Sequence, residues 1–159
     1  MNERPAVNEE PGGDRAIEGG CLCGAIRYRI SGPTTAAVHC HCSMCRRSTG
    51  AVVATWITVA ATDFHLLRGT PKVYVSSPKG ERRFCDRCGA QLIWASPLGT
   101  DTLDVTVGTL DHPEHHAADR HIFIDDRVPW LKLDEGLDAY PGEGPPPSGG
   151  PGPGGSLGG

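Results

Sequence analysis

Apolar positions in this chain recur at every second residue over short stretches, and nowhere sustain the spacing of three and four that marks a long helix. Ile26, Tyr28 and Ile30 alternate with Arg27 and Arg29, and Leu103, Val105 and Val107 share one face of another such stretch. That period belongs to half-buried strands. The run from Val52 to Val59 is β-branched and aromatic, and Phe64 to Leu67, Lys72 to Val75, Gln91 to Ala95 and His121 to Ile124 read the same way. Gly and Pro punctuate the gaps at Gly32-Pro33, Gly69, Pro71, Pro78, Gly80, Pro97, Gly99 and Pro113. Ser43 to Ser48 is the single candidate for a short helix. The pattern predicts an all-β, barrel-like or sandwich domain of short antiparallel strands, stapled by metal.

Length changes the picture little: 159 residues suit one domain with a real core. Composition sets its edges. From Pro141 the sequence runs PGEGPPPSGGPGPGGSLGG, which lacks the apolar side chains that offset ordering entropy. The expected division is a flexible segment over 1–16, a folded domain over 17–140 and a disordered tail over 141–159. No apolar run has the length of a signal peptide or approaches the roughly 20 residues that cross a bilayer, which predicts a soluble, cytoplasmic protein without a membrane partner. A formal net charge of -4 argues against a nucleic-acid partner held through its phosphates.

Candidate chemistry comes from seven cysteines in three clusters: Cys21 and Cys23; Cys40, Cys42 and Cys45; Cys85 and Cys88. An odd number does not pair into disulfides, and in a reducing cytosol clustered thiols act as metal ligands. Cys21, Cys23, Cys85 and Cys88 together supply the four thiolates of a closed, structural zinc site. The middle triad supplies three, which leaves a second zinc with an open position. In the other partition the triad borrows a cysteine from a neighbouring cluster. His39 or His41 could also close it, although strand alternation places both opposite Cys40 and Cys42. Zinc with three thiolates is a weak Lewis acid, poorly suited to making hydroxide and well suited to a thiol substrate.

Other polar residues carry two readings each. Arg46 and Arg47, directly after the triad, are candidates for the carboxylates of a thiol substrate, or else a solvated surface. Arg82 and Arg83 form a second basic pair beside a cysteine cluster, either a pocket that attracts a small anion near the metal or a solvated surface. His121, among isoleucines, reads as a hydrogen-bonded core histidine before a catalytic base, and Asp125 and Asp126 read as solvated acids before groups that orient a proton acceptor. His112, His115 and His116 suggest a surface loop. Trp94 and Trp130 suggest core or pocket wall.

These residues carry a resemblance. Gly20-Cys21-Leu22-Cys23-Gly24-Ala25-Ile26-Arg27-Tyr28, His39-Cys40-His41-Cys42-Ser43-Met44-Cys45-Arg46 with Gly50-Ala51, and Phe84-Cys85-Asp86-Arg87-Cys88-Gly89 occur in the order seen in the glutathione-dependent formaldehyde-activating enzymes, the GFA or centromere protein V domain family. His121-Ile122-Phe123 and Pro129-Trp130, followed by Asp134, Gly136 and Leu137, resemble that family's closing segment. The resemblance implies the β-tent zinc fold, shared with methionine sulfoxide reductase B. It implies two zincs per chain: a structural one on Cys21, Cys23, Cys85 and Cys88, and one tied to activity on Cys40, Cys42 and Cys45. It also implies a carbon-sulfur lyase whose thiol is glutathione and whose adduct with formaldehyde is S-hydroxymethylglutathione. Two other readings remain, a non-catalytic zinc interaction module and an enzyme resembling methionine sulfoxide reductase.

Overall fold

Short alternating segments do become strands in the computed structural model, which describes residues 16–99 and 101–150. In chain order they are β1 (Ile17–Gly20), β2 (Arg27–Ile30), β3 (Ala37–Cys40), β4 (Ala54–Ala60), β5 (Phe64–Arg68), β6 (Lys72–Ser77), β7 (Gly80–Phe84), β8 (Gln91–Ala95), β9 (Thr102–Thr106), β10 (Ala118–Ile122) and β11 (Asp138–Ala139). One α-helix, α1 (Ser43–Thr49), interrupts them between β3 and β4. β1, β2 and β5 form a small sheet, and the other eight strands form a large one in the order β11-β10-β3-β4-β9-β8-β7-β6. The expected all-β fold is thus present. Two pairings depart from the antiparallel expectation, because β10 runs parallel to both β3 and β11. A parallel pair needs a long crossover, and the chain from β4 to β9 supplies it between β3 and β10.

The large sheet is apolar on both faces, and strand alternation sorts its side chains between them. Ile57 and Val59 of β4 join Leu103 and Val105 of β9 in a core closed on the far side by Tyr28 and Ile30 of the small sheet. Ala54 and Trp56 of β4 face the other way and meet Val38, Cys40, Trp94, Ile122 and the helix cysteines. One face therefore joins the two sheets, and the other gathers the cysteine triad. Gly80 lets Trp94 lie flat on β7, since a Cβ there would sit 2.5 Å from its Nε1. Trp130, expected in a core or pocket wall, is instead 70% exposed.

Tyr28 is the largest side chain joining the two sheets. It is fully buried, stacks on Phe64 at a centroid separation of 5.0 Å, and its hydroxyl lies 2.7 Å from Thr109 Oγ1. Thr109 gives its own proton to the Thr106 carbonyl at 2.8 Å, so Tyr28 is the donor in that contact. Burial pushes its phenol up to about 12. Asp104, on the opposite face beside Trp94 and Thr58, is buried too and accepts a hydrogen bond from Thr58 Oγ1 at 2.7 Å. Desolvation pushes that carboxyl up to about 7 despite the Thr58 donor.

The Gly/Pro-rich segment differs from its composition where it is described. The Ser148 carbonyl accepts from Ala36 N at 2.7 Å, the Pro145 carbonyl accepts from Arg120 at 3.0 Å, and Ser148 Oγ donates to Asp119. These are polar contacts, which an apolar count does not register. Residues 1–15 and 151–159, where the flexible ends were expected, lie outside the described residues. Among the described residues, no helix is long and apolar enough to cross a membrane.

Tyr28→Phe should lower the unfolding free energy by about 1 kcal/mol, the net worth of one buried hydrogen bond, measured by urea denaturation. Asp104 yields a pH-dependent test. Its acid is protonated in both states at low pH; between about pH 4 and about 7 the unfolded chain releases the proton and the native chain keeps it. Stability should therefore fall with rising pH over that window and level off above it. Asp104→Asn should lack this component, so wild-type and variant urea midpoints that move in parallel would contradict it.

Candidate metal centre

The first cysteine pair sits in a turn, where strand geometry was expected. Cys21 directly follows β1, its carbonyl accepts from Gly24 N at 3.0 Å and its N–H returns to the Ile26 carbonyl at 3.1 Å. This tight reversal aims both thiols one way while Leu22 points out, 90% exposed. The second pair follows β7 as a knuckle. Gly89 N reaches the Cys85 carbonyl at 2.8 Å, with Gly89 at φ +76, a left-handed conformation that favours glycine. The two turns meet at sulfur. Cys21 and Cys23 Sγ are 3.6 Å apart, Cys23 and Cys85 Sγ are 3.8 Å apart, and all four sulfurs lie within 4.8 Å of one another.

Those separations test the implied metal. A tetrahedron with metal-sulfur bonds of about 2.3 Å has edges of about 3.8 Å, whereas a disulfide needs about 2.05 Å. The four sulfurs fit a tetrahedral thiophilic ion such as zinc, and all seven cysteines are free of disulfides. Ile26 N donates to Cys21 Sγ at 3.2 Å, the usual satisfaction of a thiolate's spare lone pair.

The triad lies on the other face. Cys40 closes β3, Cys42 is the N-cap of α1, and Cys45 follows in its first turn, so strand end and helix start converge on one point. Cys45 N donates to Cys42 Sγ at 3.3 Å, and Ser43 N is capped by Asp126 Oδ2 at 3.2 Å. Asp126, read from sequence as a solvated acid, thus helps seat the helix. All three cysteines are buried. Their thiols compete for charge: hydrogen bonds from Cys40 and Cys45 hold Cys42 far below the ordinary thiol range, and the same contacts push Cys40 far above it.

Neither flanking histidine completes this group. His41 is fully buried but bonds His121, Nε2 to Nδ1 at 2.9 Å, and His39 Nδ1 contacts Thr55 Oγ1 at 2.9 Å. Desolvation, reinforced by His121, lowers His41 to about 4, so it is neutral at physiological pH. The partition with three cysteines is the one formed among the described residues, and no cysteine is borrowed from another cluster.

Arg46 and Arg47 extend along α1 beyond the triad. Arg47 is exposed, while Arg46 is half-buried and its Nε has no partner; Trp56 Nε1, in the same apolar cluster as the triad, also lacks one. Sequence reading paired Arg82 with Arg83, as a solvated surface or a pocket for a small anion near the metal, and did not separate the two. Arg82 is only 4% exposed, and its two terminal nitrogens lie 3.8 and 3.7 Å from Cys45 Sγ. Its inward direction needed β7 to be recognised, and the polar run Glu81-Arg82-Arg83 hid that strand. His112 and Glu114 pair at the surface, 3.1 Å apart. A groove of about 440 Å³ opens elsewhere, between β5 and the β7 to β9 region, lined by Phe64, Leu66, Pro71, Ile93 and Leu103 and by no cysteine.

With this geometry in view, comparison with known proteins gives a consistent result. The profile of the glutathione-dependent formaldehyde-activating enzymes matches residues 16–126. A Halomonas elongata protein, provisionally named a glutathione-dependent formaldehyde-activating enzyme, is 25% identical over 128 residues, covering 74% of this chain and 81% of its own length. The crystal structure of a Rhodobacter sphaeroides protein superposes with a TM-score of 0.50 at 20% identity, covering 77% of this chain and 98% of that one, and so shares the fold.

Metal analysis of gently purified protein should give two zinc ions per chain, one for each sulfur group. Cys42→Ser should bring that to one and leave the far-ultraviolet circular dichroism unchanged, whereas Cys85→Ser should unfold the domain, as loss of structural zinc does in small zinc domains. A single zinc in both wild type and Cys42→Ser would remove the triad as a metal site.

Proposed function

Since the chain belongs to the glutathione-dependent formaldehyde-activating enzyme family, we propose that it is a carbon-sulfur lyase acting on a thiol-aldehyde adduct of the S-hydroxymethylglutathione kind. One observation carries the proposal: three buried sulfurs converge with no fourth protein ligand among the described residues. Held by Cys40, Cys42 and Cys45, zinc would supply a soft Lewis acid that favours a thiol in its ionised form. Cys21, Cys23, Cys85 and Cys88 would hold the structural ion.

In the forward direction the substrate sulfur forms a bond to the aldehyde carbon, the carbonyl π pair becomes a lone pair on oxygen, and the proton lost by the thiol ends on that oxygen. The reverse breaks the same carbon-sulfur bond and returns the proton to sulfur. The chain's own residues bind and orient. Trp56 Nε1 and Arg46 Nε are buried donors lacking acceptors, as expected of groups that wait for a hydroxyl or carboxylate oxygen. Arg47, exposed at the end of α1, is placed for a second carboxylate. Apolar walls from Val38, Trp56, Trp94 and Ile122 limit water.

A methionine sulfoxide reductase would need a nucleophilic cysteine outside its ligands, and here every cysteine belongs to a ligand group. An interaction module would leave the open fourth position beside the three cysteines without purpose.

Release of formaldehyde from S-hydroxymethylglutathione should be accelerated by the wild-type protein and reduced at least a hundredfold by Cys42→Ser. Arg46→Ala should mainly raise KM. Wild-type protein that leaves the uncatalysed rate unchanged, while carrying both zinc ions, would reject the lyase reading in favour of a binding role.

A further inference from the structure

A guanidinium is permanently charged in proteins, and burying it without a counter-anion costs several kcal/mol. Arg82 is buried on the triad face of the large sheet. Its neighbour Arg83 pairs with Glu81 at 2.6 Å, but Arg82 takes part in none of the ion pairs found among the described residues. Its contacts are instead Cys45 Sγ, from both terminal nitrogens, and Ser48 Oγ at 3.3 Å. Ser48 is neutral, so among these contacts the Cys45 sulfur is the group placed to balance the charge.

Its geometry is built. Ser48 Oγ donates to Gln91 Oε1 at 3.2 Å, and Gln91 Nε2 donates to the Ile93 carbonyl at 2.8 Å, so a chain of side chains from α1 to β8 fixes the acceptor that Arg82 meets. Strand β7 fixes the rest, with Arg82 opposite Trp94 of β8. Cys45 and Arg82 are 37 residues apart in sequence and come from a helix and a strand, so helical or strand periodicity within one element does not account for the contact.

We propose that Arg82 is the counter-cation of the triad, a positioning residue whose two terminal nitrogens, set against Cys45 Sγ, neutralise the net negative charge of a divalent ion with three thiolates. This rests on the reading that the triad binds metal. The charge count gives it a consequence for substrate. Three thiolates on a divalent ion leave -1, and Arg82 brings the buried site to zero. A fourth, anionic sulfur then brings the whole to -1; without Arg82 it would reach -2 in an apolar surrounding, which low dielectric strongly opposes. Arg82 thus serves both retention of the ion and admission of an anionic thiol, while touching neither reacting atom.

Arg82→Gln removes the charge, and Arg82→Lys keeps it while losing the fork. Each is loaded with cobalt(II) as a spectroscopic probe, and two quantities are read: cobalt retention by the triad against a competing chelator, with the four-cysteine site as internal control, and the change in the visible d–d bands on titration with glutathione. Expected for Arg82→Gln is at least a tenfold loss of cobalt affinity at the triad and a tenfold weaker response to glutathione, with the four-cysteine site unchanged and Arg82→Lys recovering most of both. If Arg82→Gln does not fold, shown by loss of the four-cysteine spectrum, Arg82→Met tests the same loss of charge with an apolar side chain of similar reach. Should the folded neutral variant retain cobalt and respond to glutathione as the wild type does, or should Arg82→Lys behave no better than the neutral variant, the proposal is overturned. A wild-type triad that holds cobalt but never responds to glutathione sinks the lyase reading alone, since the difference in retention still decides the role of Arg82.

Discussion

Four sulfurs from two turns that lie 62 residues apart in sequence meet at one point, and the placement of both sheets follows from that meeting. The turn holding Cys21 and Cys23 joins β1 to β2 of the small sheet, and the knuckle holding Cys85 and Cys88 joins β7 to β8 of the large one. The apolar layer between the sheets is thin. Tyr28, Ile30, Ile57, Val59 and Val105 supply much of it, and the exposed Leu66, Val73 and Val75 show how soon it gives out toward β5 and β6. A small layered domain of this kind gains much of its stability from a clamp that restricts the unfolded chain.

Having the clamp on one face frees the other. Trp56, Trp94, Val38 and Ile122 build a second apolar cluster whose purpose is to surround Cys40, Cys42 and Cys45 rather than to join layers. The polar groups on that face are correspondingly unusual. Burial pushes the Asp104 carboxyl up to about 7, His41 and His121 share one hydrogen bond with their outer nitrogens unpartnered, and Arg82 leans on sulfur. Each would be expensive in an ordinary core. Together they set an unusual polar lining beside the cysteine triad.

Much of this was legible in the chain. The alternation Ile26-Tyr28-Ile30 and Leu103-Val105-Val107 gave two strands directly, because each has one apolar and one polar or partner-facing side. The cysteine spacing marked three clusters as candidate ligands, and the division into a group of four and a group of three was one of the two partitions that it left open. What escaped had physical reasons. β1 carries two glycines and β7 carries two arginines, so neither shows an apolar face; β3 is buried on both sides and has no period to find. Cys21 and Cys23 converge through a turn because the Cys21 N–H folds back to Ile26, a choice that i, i+2 spacing alone does not reveal. Trp130 carries area enough for a core but lies beyond β10, where there is no second layer to cover it.

Strand β7 has the particular property of serving both sulfur groups, with Arg82 on one and Cys85 at the end leading to the other. During synthesis the triad emerges complete within six residues, so closing it around an ion costs little chain entropy, while the clamp waits for residue 88. An ion captured early by the triad would be held by sulfurs alone. Only when β7 arrives does the balancing cation reach Cys45, in the same event that brings the knuckle to Cys21 and Cys23. With metal bound at both groups, the order of translation would be an order of metal commitment, loose at first and fixed on docking of a single strand.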